Sequence, residues 1–446
     1  MGKFKKDKVN EKTLEETLSQ KEKRLEKMQY TSVIMLIIAL TAFFVGLKYM
    51  DTIYKTYSLM NNSTIYDGIL NRDNENDTLD ETQKLMNEIE NIYESSYVNE
   101  IERENIDEYV LNALVSAYGD RYAVYRDPAN TVDSSTAQAS QINGIGILSR
   151  AEYNEHNTLY DIYIIDVYDN SPAEEAGLKI GDIIHKVNGI QLDSSKFNFS
   201  EAISNIKGNT GTTVTLTIED GDTGEIKDIE VERRITAVNT VRYQQISDNV
   251  GYIEIRAFES TTADEFKEAI NYFSSIGISK FVFDMRDNTG GLKYSVINTL
   301  DMLVGSGVLM YELDSNGNIV ETSISDANCI DFESVTIINC NTASAAELFT
   351  KCLSDYELTT TIGETSFGKG TVCTTYPLSN GGSVMISTGK YLTKSMEDIE
   401  KIGITPDIEI KLSDDKLDEV YKLPIEDDDI IQRAIEELEQ TSEIKN

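Results

Sequence analysis

Apolar residues recur along this chain with two different periods, and the change of period divides it into segments. Over 79–135 they recur every three or four residues, as at Leu85, Ile89 and Ile92. This spacing predicts a region of amphipathic helices. Residues 138–235 instead contain short runs of β-branched residues bounded by glycine turns, which predicts a small β-rich domain.

The pattern changes again at residue 236, where short buried-type strands begin to alternate with helical stretches. Strands are predicted at 281–285 and 335–338, with an amphipathic helix at 263–273 before them. Such alternation over 236–412 is typical of a layered α/β domain. An acidic tail, 413–446, follows; its apolar residues share one face of a helix predicted at 429–438.

Twenty consecutive residues without a charge, 28–47, contrast with the polar sequence on either side. As a helix they would span about 30 Å, the thickness of the hydrocarbon core of a bilayer. Residues 1–29 hold nine Lys and Arg against six Asp and Glu, which predicts a cytoplasmic basic tail. We therefore expect a single transmembrane anchor at 30–49, a cell-membrane location, and an extracellular linker at 50–78 before extracellular domains. The alternatives are a cleaved signal peptide and a buried core helix, although no Ala-x-Ala site follows the apolar run.

Composition excludes some partners and leaves the redox state open. The formal charge of −37 disfavours nucleic acid as a partner, because its phosphates would be repelled. The four cysteines contain no C-x-x-C pair, so no metal site is expected. They are Cys329, Cys340, Cys352 and Cys373. Three disulfide pairings and free thiols all remain open.

Two short motifs carry the candidate chemistry, and the scarcity of histidine decides how they are interpreted. Ser344 follows the strand predicted at 335–338 and begins a predicted helix, a place where α/β sheets bind ligands. Both histidines, His156 and His185, lie in the β-rich segment and are expected to be surface or packing residues. A serine nucleophile would need another base, and Lys369, 25 residues later among glycines, is the candidate. Taken alone, such a serine more often caps a helix and such a lysine is more often solvated.

Backbone N–H groups near the serine supply a second element of the same chemistry. Ala345 lies at the start of the predicted helix, and Gly290 and Gly291 follow the strand predicted at 281–285. We expect these three residues to supply an oxyanion hole, although a plain tight turn is the simpler interpretation of the glycine pair. Because a lysine accepts a proton only when it is neutral, the site must also exclude water.

These motifs together resemble the carboxy-terminal processing peptidases, a family of tail-specific serine proteases with an embedded PDZ domain. The resemblance covers roughly residues 80–440 and rests on seven motifs that occur in the family's order. They are A-Y-G-D-R-Y-A-V-Y at 117–125, G-I-G-I at 144–147, S-P-A-E-E-A-G-L-K-I-G-D-I-I-H-K-V-N-G-I at 171–190, D-M-R-D-N-T-G-G at 284–291, A-S-A-A-E at 343–347, F-G-K-G-T-V at 367–372 and G-I-T-P-D at 403–407. The F-G-K-G-T-V motif is expected to be a strand.

The resemblance implies a fold class as well as roles for single residues. The fold would be α/β, with a crotonase/Clp-protease-like peptidase core at 236–412 and an embedded β-rich PDZ domain at 138–235. Ser344 would be the nucleophile and Lys369 the general base, with Gly290 or Gly291 and Ala345 donating to the oxyanion. The PDZ domain would hold an apolar C-terminal tail by strand addition. Its carboxylate-binding loop would be Gly144, Ile145, Gly146 and Ile147. No cofactor is implied.

One position departs from the family pattern. Many members carry a glutamine four residues after the lysine, and its amide oxygen orients the amine; here Cys373 stands in that place. A thiol is a poor acceptor and cannot hold a lysine in the same way. Three interpretations stay open. Another group orients Lys369, the site is weakened, or Cys373 switches activity through a thiolate or a disulfide.

The sequence thus predicts a membrane-anchored extracellular serine endopeptidase that cleaves proteins whose unstructured apolar C-terminal tails are recruited by a PDZ domain. The alternative is a catalytically impaired, membrane-tethered PDZ protein that only binds peptides. Helices at 79–118 and 429–438 offer a surface for a homodimer.

Overall fold

The computed structural model describes residues 76–99, 106–153, 159–193, 197, 199–413, 416 and 423–445. The chain divides into two units, Met1–Arg103 and Glu104–Asn446. In the first unit the described part contains one helix, α1 (Asn76–Ser96), in which Leu85, Ile89 and Ile92 are exposed. The helical spacing predicted for these residues is confirmed.

The predicted transmembrane helix is contradicted. Among the helices in the described ranges, none is both long and apolar enough to cross a bilayer. Helix α1 has 21 residues, but acidic side chains recur along it, which the hydrocarbon core would not accept. The predicted anchor at 30–49 and the basic tail at 1–29 lie outside the described residues, as does the linker at 50–78 up to residue 75. The single-pass cell-membrane location rested on that helix and is corrected with it.

The second unit opens with elements that precede the β-rich segment. They are α2 (Ile106–Ala117), β1 (Val124–Arg126) and α3 (Pro128–Gln138). The start of α3 follows from local chemistry. The side chain of Asp127 accepts the N–H of Asn130 at 2.7 Å, and a proline occupies the first turn, where its missing N–H has no cost.

The β-rich segment folds around its own hydrophobic core. Its elements are β2 (Gln141–Gly144), β3 (Ile147–Tyr153), β4 (Tyr160–Val167), α4 (Pro172–Glu175), β5 (Ile183–Val187), β6 (Ile190–Gln191), α5 (Phe199–Lys207), β7 (Thr213–Glu219), β8 (Ile226–Glu232) and β9 (Arg234–Ala237). The sheet order is β3-β4-β5-β7-β8 with β6 on β5, and β2 pairs separately with β9. Alternate residues of β4 (Tyr160, Ile162 and Ile164) fill the core. In the described part of the chain, β3 is an edge strand.

The rest of the unit alternates strands and helices, as the sequence predicts. The elements are β10 (Val241–Ser247), β11 (Val250–Ile255), α6 (Thr262–Ser275), β12 (Lys280–Asp284), α7 (Lys293–Asp301), β13 (Gly307–Leu313), β14 (Ile319–Ser325), β15 (Glu333–Ile338), α8 (Ala345–Asp355), β16 (Thr359–Gly363), β17 (Thr371–Pro377), β18 (Ser383–Leu392), β19 (Ile408–Glu409), a 3₁₀ turn (Ile425–Asp427) and α9 (Asp429–Lys445).

A six-stranded sheet, in the order β10-β11-β12-β15-β16-β19, forms the centre of this domain. From β11 onward its strands are parallel. Successive residues of β12 face opposite sides. Phe281 and Phe283 pack with residues of α6, α7 and α8, while Val282 packs with Ile430, Ile431 and other residues of α9. Both faces are therefore covered, which explains the continuous apolar runs in the strands.

A second sheet brings distant motifs together. Its order is β1-β18-β13-β14, and β17 pairs with β18 from Ser383 to Lys390. Strand β1 lies at the end of the 117–125 motif, and its residues pair with Ser383, Val384 and Met385. The motif is thereby placed beside the β17–β18 hairpin, whose first strand begins two residues after Lys369.

Candidate active site

Ser344 lies at the start of α8, after the loop that leaves β15. Its backbone has φ 56° and ψ −117°, a region that residues with a side chain rarely adopt. Both polar backbone groups are held. The N–H donates to Oε2 of Glu347 at 2.9 Å, and the carbonyl accepts the hydroxyl of Tyr391 at 2.9 Å. Strain of this kind persists only where the surroundings enforce it, and it is often found at functional sites.

Lys369 is held by the same two side chains. Its N–H donates to Oε2 of Glu347 at 2.8 Å, and its carbonyl accepts the hydroxyl of Tyr391 at 2.9 Å. Gly368, at φ 83°, lets the chain turn against Gly403, where a β-carbon would lie 2.8 Å from a backbone nitrogen. Lys369 therefore lies in a loop before β17, and the strand expected at 367–372 begins only at Thr371.

Glu347 is fully buried and connects the two motifs. Its other oxygen, Oε1, accepts the N–H of Gly368 at 2.7 Å and the hydroxyl of Ser366 at 2.5 Å. One carboxylate therefore accepts four hydrogen bonds from the Ser344 and Lys369 segments. The sequence contained a signal for this residue, the last position of the A-S-A-A-E motif, but not its contacts.

Tyr391 lies on β18 and is also buried. Burial, together with the negative charges of Glu347 and Glu400, raises the pKa of Tyr391 well above its ordinary value, so its hydroxyl stays protonated. A phenol has one proton, and here two carbonyl oxygens share it. Sequence reasoning missed this residue, because nothing within its own segment distinguishes it from other strand tyrosines.

The side chain of Lys369 lies against an aromatic ring. Over the residues that the structure describes, no hydrogen bond joins Nζ of Lys369 to Oγ of Ser344. The nitrogen lies instead over the ring of Tyr122, 4.9 Å from the ring centroid. Cys373 is half-buried on β17, opposite Ser387. All four cysteines, which lie within the described residues, are free thiols.

The predicted oxyanion residues meet at the start of α8. A β-carbon at Gly290 would lie 2.8 Å from Cβ of Ser344, so only glycine permits this approach. The N–H of Gly290 donates to Oδ1 of Asn288 at 2.8 Å. In contrast, the N–H groups of Gly291 and Ala345 have no acceptor among the described residues. Gly291 packs so closely on Phe258 that a β-carbon there would lie 2.2 Å from the Phe258 carbonyl oxygen.

The predicted carboxylate-binding loop joins β2 to β3. The carbonyls of Ile145 and Gly146 accept the N–H groups of Ala173 and Tyr168, at 2.8 and 3.0 Å. Their own N–H groups have no acceptor among the described residues. A β-carbon at Gly146 would lie 2.2 Å from Cβ of Ser171, which explains the glycine. Gly144 ends β2 and Ile147 begins β3, so the loop leads into the edge strand.

An ion cluster connects the β-rich domain to the α/β domain. Asp166 on β4 is buried and pairs with Arg242 at 3.0 Å and Arg256 at 2.5 Å. The guanidinium of Arg256 also lies 5.4 Å from the ring centroid of Tyr168, whose N–H donates to the carbonyl of Gly146. Phe258 lies two residues after Arg256, and its N–H donates to the carbonyl of Gly290 at 2.9 Å. A chain of contacts thus runs from the loop to the glycine turn beside Ser344.

His185 is not near these residues. It lies on β5, and its ring nitrogens are 2.6 Å from Asp161 and 2.9 Å from Glu219. Burial alone would lower the pKa of His185, but the hydrogen bonds that its ring donates to the two carboxylates outweigh burial and raise the pKa. His156 lies outside the described residues. No group of three His, Cys, Asp or Glu side chains in the described part could hold a metal ion.

Two stretches of the chain match known protein families. Residues 249–410 match peptidase family S41, and residues 163–220 match a PDZ domain. The chain is 30% identical over 321 residues to the carboxy-terminal processing protease CtpA of Bacillus subtilis (strain 168), covering 72% of this chain and 67% of that protein. It is 29% identical over 403 residues to a probable CtpA-like serine protease of Staphylococcus aureus (strain COL), covering 89% of this chain and 75% of that protein.

A solved structure shares the fold. It is a putative S41 protease from Bacteroides fragilis NCTC 9343, with a TM-score of 0.55 and 20% identity, covering 78% of this chain and 93% of that one. The sequence motifs, the α/β core with its β-rich domain and the family matches lead to one conclusion. The chain belongs to peptidase family S41 and is a serine endopeptidase of the carboxy-terminal processing type with a PDZ domain.

Proposed function

We propose that Ser344 is the nucleophile of this protease and that Lys369 is its general base. The observation that carries the proposal is the shared pair of partners, Glu347 and Tyr391. They bind the N–H and the carbonyl of both residues and so keep the serine and lysine segments in register. A serine nucleophile that has no histidine nearby requires another base in a fixed position, and these contacts position Lys369 relative to Ser344.

The proposed reaction has two steps. Neutral Lys369 accepts the proton of the Ser344 hydroxyl as the oxygen attacks a peptide carbonyl. The resulting ammonium then protonates the leaving amine as the C–N bond breaks and an acyl-enzyme remains. A water molecule, deprotonated by the same lysine, hydrolyses the ester, and the serine regains its proton. No cofactor takes part in these steps.

Two N–H groups are assigned to the oxyanion of the tetrahedral intermediate, those of Gly291 and Ala345. The Ala345 N–H lies at the N-terminus of α8, where unsatisfied donors and the helix dipole favour negative charge. Gly290 has another role, because its own N–H is already bound to Asn288. Its missing side chain leaves room for Ser344.

Substrates are proposed to enter through the PDZ domain. The edge of β3 would pair with the C-terminal strand of an unstructured protein, and the loop 144–147 would bind its terminal carboxylate. The N–H groups of Ile145 and Gly146, which lack acceptors among the described residues, support this assignment. Apolar tails are the expected class. Pairing of the exposed helices with a second copy of the chain stays a prediction.

The test uses the full-length chain under reducing conditions, with a disordered substrate that carries an apolar C-terminal tail. Ser344→Ala and Lys369→Ala should each lower kcat at least a thousandfold. Ser354→Ala, near the end of α8, and Lys267→Ala, exposed on α6, serve as matched controls and should leave kcat unchanged. Cleavage by either active-site variant at the parental rate would overturn the Ser-Lys assignment.

Two further comparisons separate the remaining assignments. Amidation of the substrate's terminal carboxylate should raise KM if the loop 144–147 binds that group. Cys373→Gln tests the departure from the family pattern. An unchanged kcat means that another group orients Lys369, whereas a gain of tenfold or more means that the cysteine weakens the native site.

A further inference from the structure

Tyr122 is part of the A-Y-G-D-R-Y-A-V-Y motif, and the fold places it beside Lys369. Its hydroxyl donates to Glu400 at 3.0 Å and lies 3.2 Å from the carbonyl of Gly368. Its N–H donates to Asp120 at 3.0 Å. Asp120 in turn accepts the N–H and the hydroxyl of Ser387 on β18. The turn that carries Tyr122 is therefore bound on one side to β18. On the other side it is bound to the loop that contains Lys369 and precedes β17, here called the lysine loop.

The lysine loop is held from both sides of Lys369 by the same pair of residues. Tyr122 binds the carbonyl of Gly368, the preceding residue, and Glu400 accepts the N–H of Gly370, the following residue, at 2.9 Å. Tyr122 and Glu400 are also hydrogen-bonded to each other. Together they fix the position of the ring relative to the backbone on both sides of Lys369.

The terminal nitrogen of Lys369 contacts the face of the Tyr122 ring. Nζ lies 4.9 Å from the centroid of the Tyr122 ring, within the range of a cation–π interaction. Among the described residues Nζ has no hydrogen-bond or ion-pair partner. The guanidinium of Arg121 lies 4.9 Å from the same centroid and 5.0 Å from that of Phe367, so a second cation also packs on this ring.

We infer that Tyr122 is a positioning residue for the general base: its ring restricts the position of the terminal nitrogen of Lys369, which must approach the Ser344 hydroxyl to take its proton. The inference rests on the proposed role of Lys369. A ring face attracts the N–H groups of an amine and attracts those of an ammonium ion more strongly. It can therefore hold the nitrogen in both protonation states of the cycle, in a place where the thiol of Cys373 offers only a weak acceptor.

The hydroxyl of Tyr122 keeps its proton throughout the working range. Burial and the hydrogen bond to Glu400 raise the pKa of Tyr122 to about 12, so no phenolate forms to draw the lysine into an ion pair. The ring, rather than a charge, is what the lysine meets. This distinguishes two substitutions, because Tyr122→Phe keeps the ring and Tyr122→Leu removes it.

Steady-state kinetics on the full-length chain test the inference. Tyr122→Leu should lower kcat between about twofold and thirtyfold, the range that corresponds to cation–π attraction, with KM within twofold of the parent. Tyr122→Phe loses only the bonds to Glu400 and Gly368 and should fall no more than about threefold. A matched control is Tyr356→Leu. Nζ of Lys394 lies 4.1 Å from the centroid of that ring, and the hydroxyl donates to the carbonyl of Val308. The residue follows the far end of α8, about 18 Å from Ser344 along the helix. Its kcat should stay parental.

Three results would overturn the inference. One is an equal loss of kcat in Tyr122→Phe and Tyr122→Leu, which would assign the effect to the hydroxyl. Another is an unchanged kcat in Tyr122→Leu. If Tyr122→Leu does not fold, as judged by its melting temperature and tail binding, Tyr122→Phe decides, and a loss beyond tenfold rejects the ring. Ser344→Ala and Lys369→Ala are measured in parallel. If either keeps the parental rate, the proposed function fails; if both are inactive and the Tyr122 variants are not impaired, only this inference fails.

Discussion

The substitution Glu347→Gln changes one atom of a buried carboxylate that accepts four hydrogen bonds. Oε2 accepts the N–H groups of Ser344 and Lys369, and Oε1 accepts the N–H of Gly368 and the hydroxyl of Ser366. An amide keeps one oxygen and replaces the other by an NH₂ group. One of the two pairs of donors must then face a donor.

The expected loss of stability depends on how the amide is oriented, and we take the orientation that costs less free energy. Its oxygen would stay on Ser344 and Lys369, and its NH₂ would face Ser366 and Gly368. The Ser366 hydroxyl can turn to accept, but the buried N–H of Gly368 is left without a partner, which costs about 1–3 kcal/mol. The bonds that remain lose the strength that a charged acceptor supplies, roughly another 1 kcal/mol. We expect Glu347→Gln to lower the free energy of unfolding by about 2–4 kcal/mol.

The two effects are measured separately. Urea unfolding followed by circular dichroism gives the stability, and cleavage of a tailed substrate gives kcat and KM. We expect kcat to fall at least tenfold because the serine and lysine segments lose part of their common support, while the affinity for the tail stays within twofold. Glu268→Gln, an exposed position on α6, is the control and should change neither quantity.

The result that would refute this reasoning is parental behaviour of Glu347→Gln. A change in stability under 0.5 kcal/mol together with a kcat within twofold would mean that the hydrogen bonds to the carboxylate contribute little to either quantity. Glu347 could then not be the charged acceptor that holds the two segments together.

Three other predictions concern the glycine turn, the histidine and the domain contact. Gly291→Ala would bring a β-carbon within 2.2 Å of the Phe258 carbonyl oxygen at φ +140°, so kcat should fall at least tenfold, whereas Gly317→Ala, in an open turn, should leave it parental. Because the pKa of His185 is raised in the folded state, its two ion pairs stabilise the PDZ domain below the ordinary histidine range and lose this effect as pH rises through the raised value. His185→Gln should therefore destabilise the chain in urea at pH 5 and hardly at all at pH 9; a constant difference would contradict the assignment. Asp166→Asn removes the charge of a buried partner of two arginines. The ratio of kcat/KM for a substrate with a free C-terminal carboxylate to that for the amidated substrate should therefore fall, while the affinity for the tail persists. An unchanged ratio would argue against coupling between the two domains through this contact.

Much of the α/β domain is determined by local sequence. The strand predicted at 281–285 is Lys280–Asp284, and the helix predicted at 263–273 is Thr262–Ser275. The period of apolar residues depends only on a few consecutive positions. It therefore predicts a helix or a strand without knowledge of the rest of the chain. The order of the motifs and the place of Ser344 at the start of a helix are local in the same sense.

Other local inferences failed where tertiary contacts take over. The F-G-K-G-T-V motif was expected to be a strand, but its first four residues form a loop, because the N–H and the carbonyl of Lys369 bind the side chains of Glu347 and Tyr391. The predicted transmembrane helix is contradicted within the described residues. An uncharged stretch indicates length and apolarity, which many environments satisfy.

The sequence by itself determined the nucleophile candidate, its lysine partner, the glycines around them and the alternation of strands and helices. Only the tertiary structure decided what the lysine side chain contacts. Tyr122 lies 247 positions before Lys369 in the chain, and no local period connects them. They meet because β1 pairs with β18, and β18 carries the hairpin that follows the lysine loop. Contacts of this kind depend on how sheets assemble, whereas the side-chain period within each strand depends only on its own residues.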